Sequence, residues 1–343
     1  MRKITLACTV ALFCALVALG GCSTHGQEPN NGSEEHPQAT SQQPVDVRAA
    51  ALKGPTAMGL VKFMDEAEAG TASDNNYSFQ IAASPDELTP QIAQGSLDIA
   101  CVPANLASVL YNNTDGAVRV LAVNTLGVLY ICDSNGSIQS VADLAGKTIY
   151  ASGKGSTPEY ALNYILEGNG LTPGRDVTIE WKSEHAECVA AMTQDSQAIA
   201  LLPQPFVTTV QMKDDSIRTA LDLTEEWNAL QNDADASSLI TGVVIARADF
   251  VDERPEAVEA FMKHYRESVA FVNEDVEAAA ELVDAYDIVP AAVAQKAIPA
   301  CNIVCMEGSE MKNALSGYFE VLFEQNPKSV GGTLPGDDFY YAS

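Results

Sequence analysis

From residue 45 onward, short apolar runs alternate with stretches of helical period, and this strand-then-helix rhythm constrains the fold more than any other feature of the chain. Residues 45–52 read as a strand, Gly54-Pro55-Thr56 as a turn, and 57–68 as a helix with Leu60, Val61, Met64 and Ala67 on one face, stopped at Gly70. Residues 78–82, 97–102, 118–124 and 128–132 give further strands, with helices expected over 85–94 and 106–111. A second series follows, with a short helix over 138–144, strands at 148–151, 177–181 and 198–202, and helices from Thr157, His185 and Pro205. After a strand at 243–246 the pattern is helical from Pro255 to about Glu324. This order specifies the α/β class, with mixed sheets flanked by helices. Its length exceeds one ordinary core of about 100 to 200 residues, so two lobes are expected.

Ahead of the folded part stands an export signal. Met1-Arg2-Lys3 is basic, residues 4–19 are apolar but shorter than the roughly 20 residues a membrane-spanning helix needs, and Leu19-Gly20-Gly21-Cys22 closes the run. Residues 1–21 are therefore expected to be a lipoprotein signal peptide, with Cys22 as the lipidated new N-terminus. Residues 22–44 are polar and cannot offset their ordering entropy, so a disordered tether is expected, spanning on the order of 25 Å. The chain carries 46 acidic against 19 basic side chains, a net of −27. Loss of Arg2 and Lys3 with the signal makes it 46 against 17, or −29. Such a surface repels nucleic acid and anionic headgroups, so neither is a partner. Acyl chains on Cys22 are left to hold the protein at the extracytoplasmic face of the cell membrane.

No catalytic set emerges. Gly146-Lys147-Thr148 ends no phosphate-binding loop, because Val141 stands where the first glycine belongs and a strand follows. His185 and His264 sit on helices beside Glu and Lys and read as surface residues. Cys101, Cys132, Cys188, Cys301 and Cys305 are odd in number, and no Cys or His pair has zinc-ligand spacing with a second pair to match, so neither a metal nor a cofactor is expected. What the chain offers are loops leading into helix starts at Gly54-Pro55-Thr56, at Pro103-Ala104-Asn105, and at 153–157, where Thr157-Pro158-Glu159 reads as a capping hydroxyl, a first-turn proline and an acid. Unpaired N–H groups at such starts can hold a ligand, and in open α/β sheets these loops gather beyond the carboxyl ends of the strands.

Leu52-Lys53-Gly54-Pro55-Thr56-Ala57-Met58-Gly59, Asp98-Ile99-Ala100-Cys101-Val102-Pro103-Ala104-Asn105, and Asp143-Leu144-Ala145-Gly146-Lys147-Thr148-Ile149-Tyr150 with the loop Gly153 to Tyr160 together carry a resemblance. The chain resembles the substrate-binding lipoproteins of ABC importers, in particular the nitrate, sulfonate and taurine binders and their relatives that bind the thiamine-pyrimidine precursor. The likeness runs through to Gly331-Gly332-Thr333-Leu334-Pro335-Gly336-Asp337-Asp338-Phe339-Tyr340-Tyr341. It implies a two-lobe, type II periplasmic-binding-protein-like fold. Lobe one would span 45–127 and 246–343, and 128–245 would form lobe two with the hinge strands, crossing at 128–132 and 242–246. It further implies a monomer that captures a small-molecule ligand in the cleft and delivers it to an ABC permease with its ATPase. The ligand-binding residues would be Gly54, Thr56, Met58, Asn105, Lys154, Ser156, Thr157 and Gln204. Relatives often have an acid between the prolines of Leu202-Pro203-Gln204-Pro205-Phe206, and Gln204 replaces its charge with amide donors, which disfavours a cationic ligand. None of the three helix-start loops contains arginine, only Lys53 and Lys154, so either helix termini hold a small anion or the ligand is largely neutral. The alternatives are an enzyme of the pyrimidine-precursor-synthesis type on the same fold, against which the lack of a His-rich loop argues, and a ligand-sensing module for a membrane receptor.

Overall fold

A computed structural model describes residues 44–231 and 237–342, so the signal peptide, Cys22 and nearly all of the tether lie outside the described residues. The first series is β1 (Asp46–Leu52), α1 (Pro55–Met58), α2 (Val61–Glu68), β2 (Asn76–Ala82), α3 (Pro85–Ala93), β3 (Ile99–Pro103), α4 (Ala104–Asn113) and β4 (Val118–Leu126). The second is β5 (Leu129–Asp133), β6 (Thr148–Ser152), α5 (Thr157–Gly168), β7 (Thr178–Lys182), α6 (His185–Gln194), β8 (Ile199–Pro203), α7 (Phe206–Lys213), β9 (Arg218–Asp222) and α8 (Leu223–Ala229). The chain then returns as β10 (Ile240–Arg247), α9 (Ala248–Glu253), α10 (Pro255–Glu274), α11 (Val276–Ala285), α12 (Ala291–Ala297), β11 (Ile303–Met306) and α13 (Gly308–Gln325). No described helix is long and apolar enough to cross a membrane.

These strands form two mixed sheets, ordered β11-β4-β10-β3-β1-β2 and β7-β6-β8-β5-β9. Successive side chains of a strand point to opposite faces, and the first sheet uses that period to serve two cores. Val47, Ala49 and Ala51 meet Phe63, Phe261 and Tyr265 of α2 and α10. Ala50, Ala100 and Val120 face Leu88, Ala107 and Phe319 of α3, α4 and α13 on the other side. In the second sheet Ile131, Ile149 and Leu201 face Leu162 and Trp227, while Cys132, Ala200 and Leu202 face Cys188 and Val207. All five described cysteines are free, and all but Cys305 are buried.

The chain leaves the first sheet at Gly127-Val128 and returns through α8 and the stretch that leads to β10. Residues 128–132, expected as a crossing, fall in the second sheet, where β5 pairs with both β8 and β9. Residues 242–246 fall in the middle of the first, where β10 pairs with β3 and β4. The helix expected over 57–68 is broken at Gly59-Leu60. A Cβ at Gly59 would stand 3.0 Å from the Tyr265 hydroxyl and 3.2 Å from Ile303, so the backbone lies close against α10 and β11 there. The expected helical tail is interrupted by β11, a four-residue edge strand on β4 too short to announce itself in the sequence.

Beyond α13 the chain folds back along α4. Ser108 Oγ donates to the Val330 carbonyl at 2.8 Å, and Asn112 Nδ2 to the carbonyls of Val330 and Thr333 at 2.7 Å each. Asn105, one turn earlier on the same face, donates to Ser329 O at 3.3 Å. Tyr341 N then reaches Val120 O at 2.9 Å, beside the first sheet.

Candidate functional site

Parallel strands end on one side of each sheet, and the loops leaving those ends meet where the one after β3 approaches the one after β6. From the first sheet come the loops after β1, β2 and β3; from the second, those after β6, β7 and β8. Asn105 spans the gap, its Nδ2 lying 3.5 Å from Gly155 O in the loop between β6 and α5. The Asn105 side chain is almost completely buried, and the two carbonyls at Nδ2 fix which way the amide points. Its Oδ1 is buried with no hydrogen-bond partner. A lone acceptor of this kind costs about 1–3 kcal/mol unless something else donates to it.

The expected site residues divide. Gly54 carries φ 131°, a conformation open to glycine, and its carbonyl accepts from the amides of Ala57 and Met58 at 3.0 Å each. The Thr56 hydroxyl donates to Leu52 O at 2.8 Å, closing its own turn. Met58 is fully buried in the core, with Sδ 3.9 Å from Cys301 Sγ. Lys154 is exposed on its loop. Ser156, rather than Thr157, is the N-cap of α5, and its Oγ donates back to Gly153 O at 2.9 Å. Thr157 is the first helical residue, buried, with its hydroxyl 3.0 Å from the Tyr318 hydroxyl of α13. Gln204 is nearly buried, and its Oε1 accepts from the Thr208 amide at 3.3 Å and hydroxyl at 2.9 Å, holding the first turn of α7. Asn105 and the loop of Lys154, Ser156 and Thr157 are thus brought together, whereas Met58 and Thr157 direct their side chains into packing.

Two histidines depart from the surface reading. His185 opens α6, half-buried, with Nδ1 hydrogen-bonded to Ser152 Oγ at the end of β6 and its ring 4.9 Å from that of Phe206. Burial pulls its imidazole down to about 4, so it is neutral near pH 7. His264 is mostly packed, its ring stacked on Phe63 and Nε2 3.0 Å from Asp74. The signal for His185 was positional: a serine ending one strand and a histidine starting the helix after the next strand converge at the same sheet edge. Tyr130, at the cleft end of β5 and paired with Asp222, was also overlooked, and burial with the nearby Asp222 pushes its phenol up to about 12. Among the described residues no group of acids, Cys and His could hold a metal.

The arrangement of sheets and loops recurs in solved structures. An ABC transporter structure from Parabacteroides distasonis superposes with a TM-score of 0.71 at 20% identity, covering 86% of this chain and 98% of that one. The periplasmic aliphatic sulphonate-binding protein SsuA of Escherichia coli gives 0.68 at 18%, covering 84% and 96%. The periplasmic nitrate-binding protein NrtA of Synechocystis gives 0.55 at 16%, covering 73% and 69%. These likenesses establish the fold, the two-lobe binding-protein architecture. No curated protein matches the sequence. The sequence profile described as NMT1/THI5 like matches residues 81–279, from the end of β2 through the whole second sheet and into α11. A match over more than half of the chain makes this protein a member of the NMT1/THI5-like family.

Proposed function

We propose that the protein is an extracytoplasmic solute receptor, held to the membrane by lipid on Cys22, that closes on a small molecule and hands it to an ABC permease. The observation that carries this reading is the meeting of Asn105 with Gly155 O across the facing strand ends, which leaves a buried, unpartnered acceptor between the two walls. Ligand capture between two lobes is a hinge closure, and a closed cleft offers a permease a shape that the empty one lacks. Asn105, the backbone of 153–156, and Gln204 on the second wall are the proposed contacts, with Gly54 and Thr56 shaping the first loop. Thermal-shift screening followed by small-angle scattering tests the reading. A stabilising solute is expected to lower the radius of gyration at saturation, and an unchanged radius removes the closure mechanism.

A further inference from the structure

Several of the loop amides that lead into helices around the cleft are already taken by the chain's own carboxylates, although α1 and α4 carry none. After β6, the Gly155 amide donates to Glu159 Oε2 at 2.6 Å. After β7 the same i to i+4 geometry recurs, with Ser183 N donating to Glu187 Oε2 at 2.9 Å. After β2, both Ala83 N and Ser84 N reach Glu87 Oε1 at 3.1 Å, and after β9 Thr224 N reaches Asp222 Oδ1 at 2.7 Å. A helix start attracts anions because its amides are unpaired and its end is partly positive; here a fixed negative charge sits in that position. At α7 the carbonyl of Gln204 takes the corresponding place.

The cations that could compensate lie elsewhere. Arg48 and Arg247 pair with Asp98, at 2.7 and 3.6 Å, at the far end of the first sheet. Arg218 pairs with Asp133 at 2.9 Å at the far end of the second. Lys182 binds Glu180 and lies over the Tyr150 ring. Lys53 and Lys154, in the cleft loops, are exposed, where an ammonium is hydrated and screened. Of the buried polar atoms without a partner among the described residues, Asn105 Oδ1 is the one on the residue that reaches Gly155 O in the facing loop, and an acceptor calls for a donor, which a sulfonate or a nitrate does not have.

We propose, resting on the receptor reading above, that the cleft takes an uncharged solute bearing an N–H or O–H donor for Asn105 Oδ1, and that Glu159 and Glu187 exclude anions from it. Sharing a fold with sulfonate- and nitrate-binding proteins then does not carry their ligands with it. The juxtaposition that supports this is a buried acceptor left without a partner on one wall and loop amides taken by carboxylates just ahead of two helices on the other.

Calorimetry and small-angle scattering on the purified chain, using nitrate, ethanesulfonate, putrescine, cytosine, uracil, nicotinamide and glucose as probes, test it together with the variant Glu159→Ala/Glu187→Ala. The wild-type chain is expected to ignore nitrate and ethanesulfonate, the double variant to bind at least one of them at least tenfold more tightly, and an uncharged probe to close the wild-type cleft. Asn105→Ala should weaken that uncharged probe about tenfold while Ser108→Ala, on the same helix face, leaves it unchanged. Closure of the wild-type cleft on nitrate, ethanesulfonate or putrescine overturns the proposal and leaves the receptor reading standing. A double variant that folds normally and gains no anion affinity also overturns it. Failure of every probe, charged and uncharged, to change the radius removes the receptor reading and the proposal with it.

Discussion

Thr157→Val separates the support of the cleft loop from its ligand contacts. Thr157 and Tyr318 are both buried, and their hydroxyls lie 3.0 Å apart, tying the first turn of α5 to α13. Valine keeps the shape and removes the oxygen, which leaves the Tyr318 hydroxyl buried without that partner and costs about 1–3 kcal/mol. Tyr318→Phe makes the complementary defect of similar size, about 1–2 kcal/mol. In Thr157→Val/Tyr318→Phe neither oxygen remains, so the double variant should lose less than the sum of the singles, with a coupling of about 1 kcal/mol or more. Urea unfolding followed by tryptophan fluorescence in a Trp181→Phe background suits the measurement, because the remaining indole, Trp227, lies 5.8 Å from the Tyr318 ring. The affinity for whatever solute closes the cleft should stay within a factor of about two, since the Thr157 hydroxyl points at α13. Strictly additive singles would mean the two hydroxyls do not meet. A single variant of normal stability with affinity reduced tenfold would place Thr157 among the ligand contacts.

Two further outcomes are expected. Because burial depresses His185, folding stability should be full above the unfolded value near 6.5 and fall as pH drops toward about 4. Wild type should lose about 1–2 kcal/mol more than His185→Gln between pH 7 and pH 5, and parallel pH profiles of the two would show that the ring is solvated. Cys22→Ala should abolish fatty-acid labelling and leave the precursor unprocessed, whereas label persisting in the variant would locate the lipid elsewhere.

Most of the strand order was legible because it is written in local periodicity. The run at 148–152, the loop of four after it and the proline-marked helix start specify β6 and α5 without reference to the rest of the chain. What escaped depended on distant partners. β11 is four residues long and is a strand only because β4 lies beside it. The close approach of the Gly59 backbone to Tyr265, some two hundred residues later, is likewise invisible in local periodicity. Thr157 reads as a cap until Tyr318 of α13 is seen to hold its hydroxyl. At the site, the asparagine at the end of Pro103-Ala104-Asn105 was visible, but its open acceptor was not, since that follows from two carbonyls 50 and 224 residues away. The carboxylate of Glu159 was visible as a first-turn acid and that of Glu187 was not singled out, and only the backbone geometry makes both of them occupants of the loop amides.

The place of β10 in the first sheet bears on how the protein is assembled. The second sheet is built wholly from residues 129–222, one unbroken stretch, so its pairings close over short loops. The first sheet is not: β3 and β4 are not neighbours, and the strand between them arrives more than a hundred residues after β4. Closing loops of that size is entropically slow, so the first sheet should form late and the second early. On a chain emerging residue by residue, the half of the cleft contributed by Asn105 has no finished platform until β10 has been released, and Ser108 and Asn112 wait longer still for the carbonyls of Val330 and Thr333. The inserted sheet thus has all its strands while its host still lacks β10, but the face that Trp227 covers stays unfinished until α13 delivers Tyr318, so the two halves are completed together by the last part of the chain.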